Sequence, residues 1–405
     1  MFDINKIRAD FPMIQNSKVA YLDNAATTFK PQCVIDAVTR YYTHETSNVH
    51  RGDYDLSYQV SKDYEDARES VAKFINCDAR EVVFTSGASM SLNLVAYGYG
   101  RKFLKKGDVI LSTEAEHASN ILPWFKVCEE VGAVIEYIPL STEGEMTIEA
   151  FKGAMHDKVK IVAMAEVSNV MGYIQPMKEI VKIAHEYGAL VVCDGAQSVP
   201  HVPIDVKDSG VDFLGFSAHK MCGPTGVGVL YGRFDLLQQM DPFMLGGGSN
   251  ARFDICGNIL LKDAPYKFEA GTPAIEAVLG LKAAVEYLQT LGMENVYRYE
   301  HELRVYASKR LQELDNITFY NPNASTGILT FNVKGVFAQD AASYLNSKGI
   351  AVRSGNHCAK ILIELIEASE TIRCSLYFYN TKEEVDQFIE ACKEITVENC
   401  VGIFF

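Results

Sequence analysis

Basic side chains are in deficit: 38 lysines and arginines stand against 52 aspartates and glutamates, a formal net charge of -14. That balance argues against a general nucleic-acid or anionic-membrane surface and for a small molecule or a protein partner. None of the ten cysteines forms a C-x-x-C pair, and several sit inside apolar runs. Such scatter speaks against a disulfide framework or a zinc site and suits free thiols in a reducing compartment. No segment approaches the eighteen or so apolar residues of a membrane span, and the opening MFDINKIRADFP lacks the apolar core of a signal peptide. Internal repeats and low-complexity linkers are missing as well. The expectation is a cytoplasmic protein that needs no metal.

What is present is an ordinary globular composition, 48% hydrophobic and 22% charged over 405 residues, enough for two or three domains and a large core. Apolar runs at 19–22, 82–85, 109–111, 134–138, 160–165, 190–193, 211–216 and 227–230 read as strands. Helical patterns lie between them, at 60–75, after Ser119, after Thr147, and at 177–187 before Gly188. Repeated strand–helix units argue an α/β fold with a mainly parallel sheet flanked by helices, whose ligand lies at the C-terminal strand ends. Past Asp241 the rhythm breaks at Gly246, Gly247 and Gly248, and a long helix follows through Ala277, Leu281 and Leu288. The remainder, with strands at 327–333, 350–353 and 371–377 and a final helix through Val385 and Cys392, reads as a smaller α+β domain. The expected divisions are a segment 1–20 packing with the small domain, a large domain 21–290 and a small domain 291–405.

Lys220 is the centre of the chemistry. It follows the apolar run 213–216 and precedes a turn that Gly223, Pro224, Gly226 and Gly228 keep from being helical. Desolvation there favours the neutral amine that attacks an aldehyde. Taken alone, Lys220 reads more readily as a turn lysine whose ammonium reaches water. A phosphate loop is excluded, because Val229, Leu230 and Tyr231 follow the last glycine instead of Lys and Ser or Thr. Asp194 ends another apolar run, and alone it reads as a cap or turn residue. Together, an aspartate for a pyridinium nitrogen and a lysine for an aldehyde are what pyridoxal phosphate requires.

The ordered blocks YLDNAATT at Tyr21, NVHRG at Asn48, EHASNILPW at Glu116, EVSNVMG at Glu166, DGAQSVPH at Asp194, FSAHKMCGPTGVGVLYG at Phe216, FEAGTP at Phe268, RSGNHCAK at Arg353 and RCSLYFYN at Arg373 span nearly the whole chain. Through them the chain resembles the class V aminotransferases, pyridoxal-phosphate enzymes of fold type I, and among them the SUF-like type II cysteine desulfurases. The resemblance implies Lys220 as the lysine bonded to the cofactor, Asp194 at the ring nitrogen, Gln197 at the ring hydroxyl and His117 stacked on the ring. It implies Ser89, Ser217 and His219 around the phosphate, with Thr272 lent by a second subunit of a homodimer. Arg373 would clamp the substrate carboxylate, Asn169 would make a second polar contact, and His117 would carry a proton.

The resemblance also assigns the sulfur chemistry. Cys358 would take sulfur from L-cysteine as a persulfide and pass it to a protein acceptor with a reactive thiol, in iron–sulfur cluster assembly or other sulfur metabolism. Its loop is polar and glycine-containing, and exposure together with positive charge from Arg353 and His357 would favour thiolate. Cys374, inside a strand, is the competing candidate. Selenocysteine lyase, another class V activity, or a catalytically silent sulfur-assembly protein remain open alternatives. Three features depart from the family pattern: Ala88 where a threonine is common, Met90 where an acidic residue is, and the stretch GGGSNARF from Gly246.

Overall fold

The computed structural model describes residues 3–403. A short strand, β1 (Ala20–Tyr21), stands apart from the seven that follow. Strands β2 (Val82–Thr85), β3 (Val109–Thr113), β4 (Val134–Ile138), β5 (Val159–Ala165), β6 (Leu190–Asp194), β7 (Phe213–Ser217) and β8 (Gly228–Gly232) form one sheet in the order β2-β8-β7-β6-β5-β3-β4. Strand β8 runs antiparallel to both its neighbours, and every other pairing is parallel. The C-terminal ends of β2, β3, β5, β6 and β7 therefore open on one edge of the sheet.

The apolar runs become these strands because a sheet covered on both faces needs apolar side chains on both. Val191, Cys193, Leu214 and Phe216 enter the core on one face, while Val192, Phe213 and Leu230 enter it on the other. Burial of a single such side chain stabilises by about 1.5–3 kcal/mol. The helix Asp55–Ile75 buries Val60, Tyr64, Ala67, Val71 and Ile75 at helical spacing and ends on Asn76, whose φ of 59° is left-handed. The helix Ile275–Leu291 packs against it and against Gln32–Arg40.

A hairpin, β9 (Asn250–Phe253) and β10 (Ile259–Leu261), projects from the large sheet's surroundings. The C-terminal part holds β11 (Ile317–Phe319), β12 (Ile328–Val333), β13 (Ile350–Ala351), β14 (Arg353–Gly355) and β15 (Thr371–Ser375). Four of them make an antiparallel sheet in the order β11-β12-β15-β14. The strand expected at 350–353 is divided at Val352, because β13 pairs with β1 while β14 pairs with β15. The helix expected last, Lys382–Lys393, is followed by another, Val397–Gly402, capped by the Thr396 hydroxyl.

The N-terminal residues sit in a seam. Ala20 is in register with Ile350 of β13, and fully buried Phe11 packs between Tyr287 at 5.8 Å and Tyr379 at 4.8 Å, ring centroid to ring centroid. Arg8 donates to the Tyr379 carbonyl and pairs with Glu384. The segment thus ties the long helix Ile275–Leu291 to the chain leaving β15.

Candidate active site

Asp194 and Ser217 close β6 and β7, adjacent parallel strands with Asp194 in register with Gly215. One short turn of 3-10 helix, Ala218–Lys220, carries the chain from Ser217 to Lys220. Thr113 ends β3 and His117 follows as the N-cap of Ala118–Val131; Ala165 ends β5 and Asn169 follows. Parallel strand ends thus deliver Asp194, Lys220, His117 and Asn169 to one cavity, which Ser89, Gln197, Ser217, His219, Arg353, His357 and Arg373 also line.

One end of the cavity is built for an anion. Gly87 precedes the helix Ala88–Val95, whose first amide, Ala88 N–H, donates to Ser217 Oγ at 2.8 Å. A side chain at Gly228 would meet Gly87 Cα at 2.5 Å, so only glycine allows β8 to pass beneath this turn. Ser89 and Ser119 hydroxyls lie 2.6 Å apart at the same end. Free helix N-terminal amides, hydroxyls and a helix dipole are the donor set for a phosphate.

Burial sets the protonation of the middle. Lys220 is lowered from 10.5 to about 8, chiefly by desolvation, with Arg373 and Arg353 adding repulsion and Asp194 opposing. Asp194, fully enclosed, is raised by desolvation against the Ala196 N–H, which donates to its Oδ1 at 2.9 Å, and against Lys220. A pyridinium beside it would reverse that direction. His117 is lowered to about 4 by burial and then by Lys220, and His219 to about 4 by burial, Lys220 and Lys30. Both imidazoles are neutral near pH 7 and can accept as well as donate.

The other end is cationic. Arg373 on β15 and Arg353 on β14 are register partners, two like charges directly opposite, an arrangement that is unfavourable without an anion. Asp23 supplies part of one, its Oδ1 accepting from Arg373 Nη2 at 3.2 Å, and the Asn169 carbonyl accepts from Nη1 at 2.9 Å. Arg373 Nε stays buried without a partner, as does Gln197 Oε1. The Gln197 amide donates to the Ala25 carbonyl at 2.8 Å. A buried guanidinium nitrogen and a buried carbonyl oxygen left open in one cavity call for a ligand with an acidic group and a donor.

Cys358 does not line the cavity; it is exposed on the loop beside it, with φ at 57°. The loop is pinned: Ala118 N–H donates to the Cys358 carbonyl at 2.8 Å, and Asn169 Nδ2 to the His357 carbonyl at 2.8 Å. His357, expected as a positive neighbour of the thiol, is instead buried and lowered to about 3 by desolvation, Arg373 and Arg353. It is neutral, and its Nε2 meets Thr371 Oγ1 at 3.0 Å. Cys374, the competitor, is buried in β15 and pushed above the ordinary thiol range by desolvation.

Thr272 lies outside this cavity, exposed on a loop that Glu269 anchors through Arg68 at 2.7 Å and Phe84 N–H at 2.8 Å. Met90 takes the Ser86 N–H and hydroxyl on its sulfur at 3.4 Å, near the same loop. Asp23, Ser119 and Arg353 were not expected as site residues. No local pattern marks Asp23 and Arg353, which a contact from the far end of the chain and an antiparallel register bring in, while Ser119 arrives with His117 in the first turn of its helix.

The residues from 20 to 388 match the family model described as Aminotransferase class-V. A probable cysteine desulfurase of Halalkalibacterium halodurans is 44% identical, over 94% of this chain and 95% of that protein. One of Synechocystis is 43% identical over 95% and 94%. The crystal structure of the cysteine desulfurase CsdA, as an S-sulfonic acid, from Escherichia coli superposes with a TM-score of 0.92 at 34% identity, covering 100% of this chain and 99% of that one. The apo cysteine desulfurase of Thermococcus onnurineus gives 0.93 at 37%, over 96% and 97%.

Proposed function

The chain belongs to the class V aminotransferase family, and on that premise we propose that it is a pyridoxal-phosphate-dependent cysteine desulfurase, forming L-alanine from L-cysteine and leaving the sulfur as a persulfide on Cys358. The carrying observation is the placement of an exposed cysteine, on a loop pinned to His117's helix and to Asn169, beside a cavity holding Lys220, Asp194 and Arg373. Mixing the purified protein with L-cysteine and a thiol acceptor should yield alanine and transferred sulfur one for one; pyruvate or an amino-group transfer product would reject the reading.

Lys220 would hold the cofactor through its aldehyde, Asp194 and Gln197 its ring, and Ser89, Ser217 and His219 its phosphate. Pyridoxal phosphate would supply an electrophilic aldehyde and a ring able to take up electron density from the substrate's Cα. Arg373, with Arg353 beside it, binds the substrate carboxylate as a planar fork. The Lys220 amine removes the Cα proton, because a lysine near 8 is a base of suitable strength. Cys358 Sγ then attacks the substrate's Sγ: an S–S bond forms, the Cβ–Sγ bond breaks, and its electron pair stays with carbon, to be protonated as alanine. Neutral His117 would pass a proton to or from the reacting carbons.

The lowered lysine makes a measurable difference. A shift from 10.5 to about 8 raises the neutral amine fraction at pH 7 by roughly 300-fold. The rate at which apoprotein captures pyridoxal phosphate, followed by absorbance, should climb with pH through a midpoint near 8 and level off above it. A rise continuing past pH 10 would show an ordinary lysine.

The second subunit is part of the proposal. Leu245, Phe253, Ile255, Ile259 and Leu260 are exposed on and beside the hairpin, next to the loop bearing Thr272. Exposed apolar side chains gathered on one hairpin mark an interface, and a second copy would bring Thr272 to the other chain's phosphate end. Sedimentation should show a dimer at assay concentration, and an active monomer would contradict the role of Thr272. All ten cysteines are free, which supports a reducing, cytoplasmic setting. The persulfide is passed to a protein acceptor with its own thiol, serving iron–sulfur cluster assembly or other sulfur metabolism.

A further inference from the structure

One peptide oxygen, the carbonyl of His219, receives four donors. Thr28 N–H reaches it at 3.0 Å, Thr27 Oγ1 at 3.0 Å, Thr28 Oγ1 at 3.1 Å and Lys30 Nζ at 3.1 Å. A carbonyl has two lone pairs, so four convergent donors fix its direction far beyond what satisfying it requires. This carbonyl belongs to the His219–Lys220 peptide. On the far side of Lys220, Cys222 N–H donates to Thr28 Oγ1 at 2.9 Å, so the turn bearing the lysine is held from both ends by a segment some 190 residues away in the chain.

Lys30 is the unusual member. Its ammonium reaches only neutral oxygens, the His219 and Thr28 carbonyls and Thr27 Oγ1, and no carboxylate lies within ion-pair distance of it among the described residues. Burial lowers it to about 8. A half-buried cation without a counter-ion is unfavourable, and a merely structural clamp could have used a neutral donor. The same turn also supports the rest of the cavity, since Asp23 holds Arg373 and the Ala25 carbonyl holds Gln197. One rigid stretch of chain therefore sets the distance between the substrate clamp and the lysine.

We propose that Lys30 is a positioning residue for Lys220, its ammonium fixing the His219–Lys220 peptide so that the amine stands over the Cα of a substrate held by Arg373. The proposal rests on the desulfurase reading for its kinetics and on geometry alone for its structural part. A misplacement of about 1 Å can cost on the order of 100-fold in rate.

The test compares Lys30→Met, Lys30→Arg and, as a control remote from the cavity, Lys102→Met, which loses a surface tie to Asp241. With bound cofactor equalised by saturation, Lys30→Met should lose roughly tenfold to 100-fold in kcat for alanine formation, while KM for cysteine stays within about twofold because the Arg373 clamp is intact. Lys30→Arg, keeping the charge, should recover most of the loss, and Lys102→Met should lose nothing. In the apoproteins, amide hydrogen exchange at Met221, Cys222 and Gly223 should quicken in Lys30→Met alone. Unchanged kcat in Lys30→Met, a loss that vanishes on cofactor saturation, or Lys30→Arg no better than Lys30→Met would each overturn the proposal. Should the wild type make no alanine from cysteine, the desulfurase reading falls, and the exchange measurement still decides whether Lys30 holds the lysine turn.

Discussion

Lys220→Ala should be colourless after dialysis, give no covalent adduct on borohydride reduction and make alanine from cysteine at less than about a thousandth of the wild-type rate. The expected loss is this large because one side chain would serve twice. In the proposed reaction its amine would bond the cofactor's aldehyde, and the same amine would take the proton from Cα; general base catalysis alone contributes about 100- to 10,000-fold. Lys30, the other desolvated lysine near the cavity, cannot stand in, since its ammonium is turned onto the His219 and Thr28 carbonyls. Mapping the reduced adduct of the wild type by peptide mass therefore gives a single answer. A cofactor found on any other lysine, or a coloured and active Lys220→Ala, would remove the centre of the assignment.

Cys358→Ala should lose alanine formation from cysteine by at least about 100-fold with an acceptor present, while the spectral change on adding cysteine persists. The separation follows from the geometry: Cys358 is outside the cavity, so its removal leaves Lys220, Asp194 and Arg373 untouched. With selenocysteine the same variant should keep measurable activity, because selenium departs from carbon more readily than sulfur and depends less on attack by the thiol. Wild-type protein should be slow with cysteine alone and clearly faster with a protein acceptor. The carbonyls of His357 and Cys358 are both tied down, which would keep a persulfide on Cys358 close to the pocket. Alanine released from cysteine at the wild-type rate by Cys358→Ala would replace the persulfide mechanism with a lyase reaction.

How much of this was legible in the sequence depends on how each residue reaches its place. Asp194 and Ser217 stand at the ends of continuous apolar runs, and parallel strands buried on both faces must end on one edge, so Asp194 and Lys220 can be read as neighbours, while His117 is reached only through the family resemblance. Arg353 and Asp23 could not. The first depends on the register of β14 against β15, the second on a contact across 350 positions, and neither leaves a periodic trace. The hairpin strands are three and four residues long with mostly exposed side chains, so no burial pattern marks them. The terminal helix Val397–Gly402 is likewise too short for its periodicity to register. His357 reads as a positive neighbour of Cys358 because a sequence shows its place in a polar loop but not the burial, nor the approach of Arg373, that keeps it neutral.

The like charges of Arg353 and Arg373, register partners lining one cavity, have a consequence for turnover. Their repulsion is relieved by any small carboxylate that settles between them, and alanine carries the same carboxylate and the same amine as cysteine. A clamp of this kind would hold the product's carboxylate as it would hold the substrate's. Alanine should compete with cysteine for the free enzyme, and the reaction should slow as product accumulates unless the amino acid is drawn off. Acetate or chloride in the medium would press on the same two cations, so the apparent affinity for cysteine is set jointly by the protein and by the anions around it.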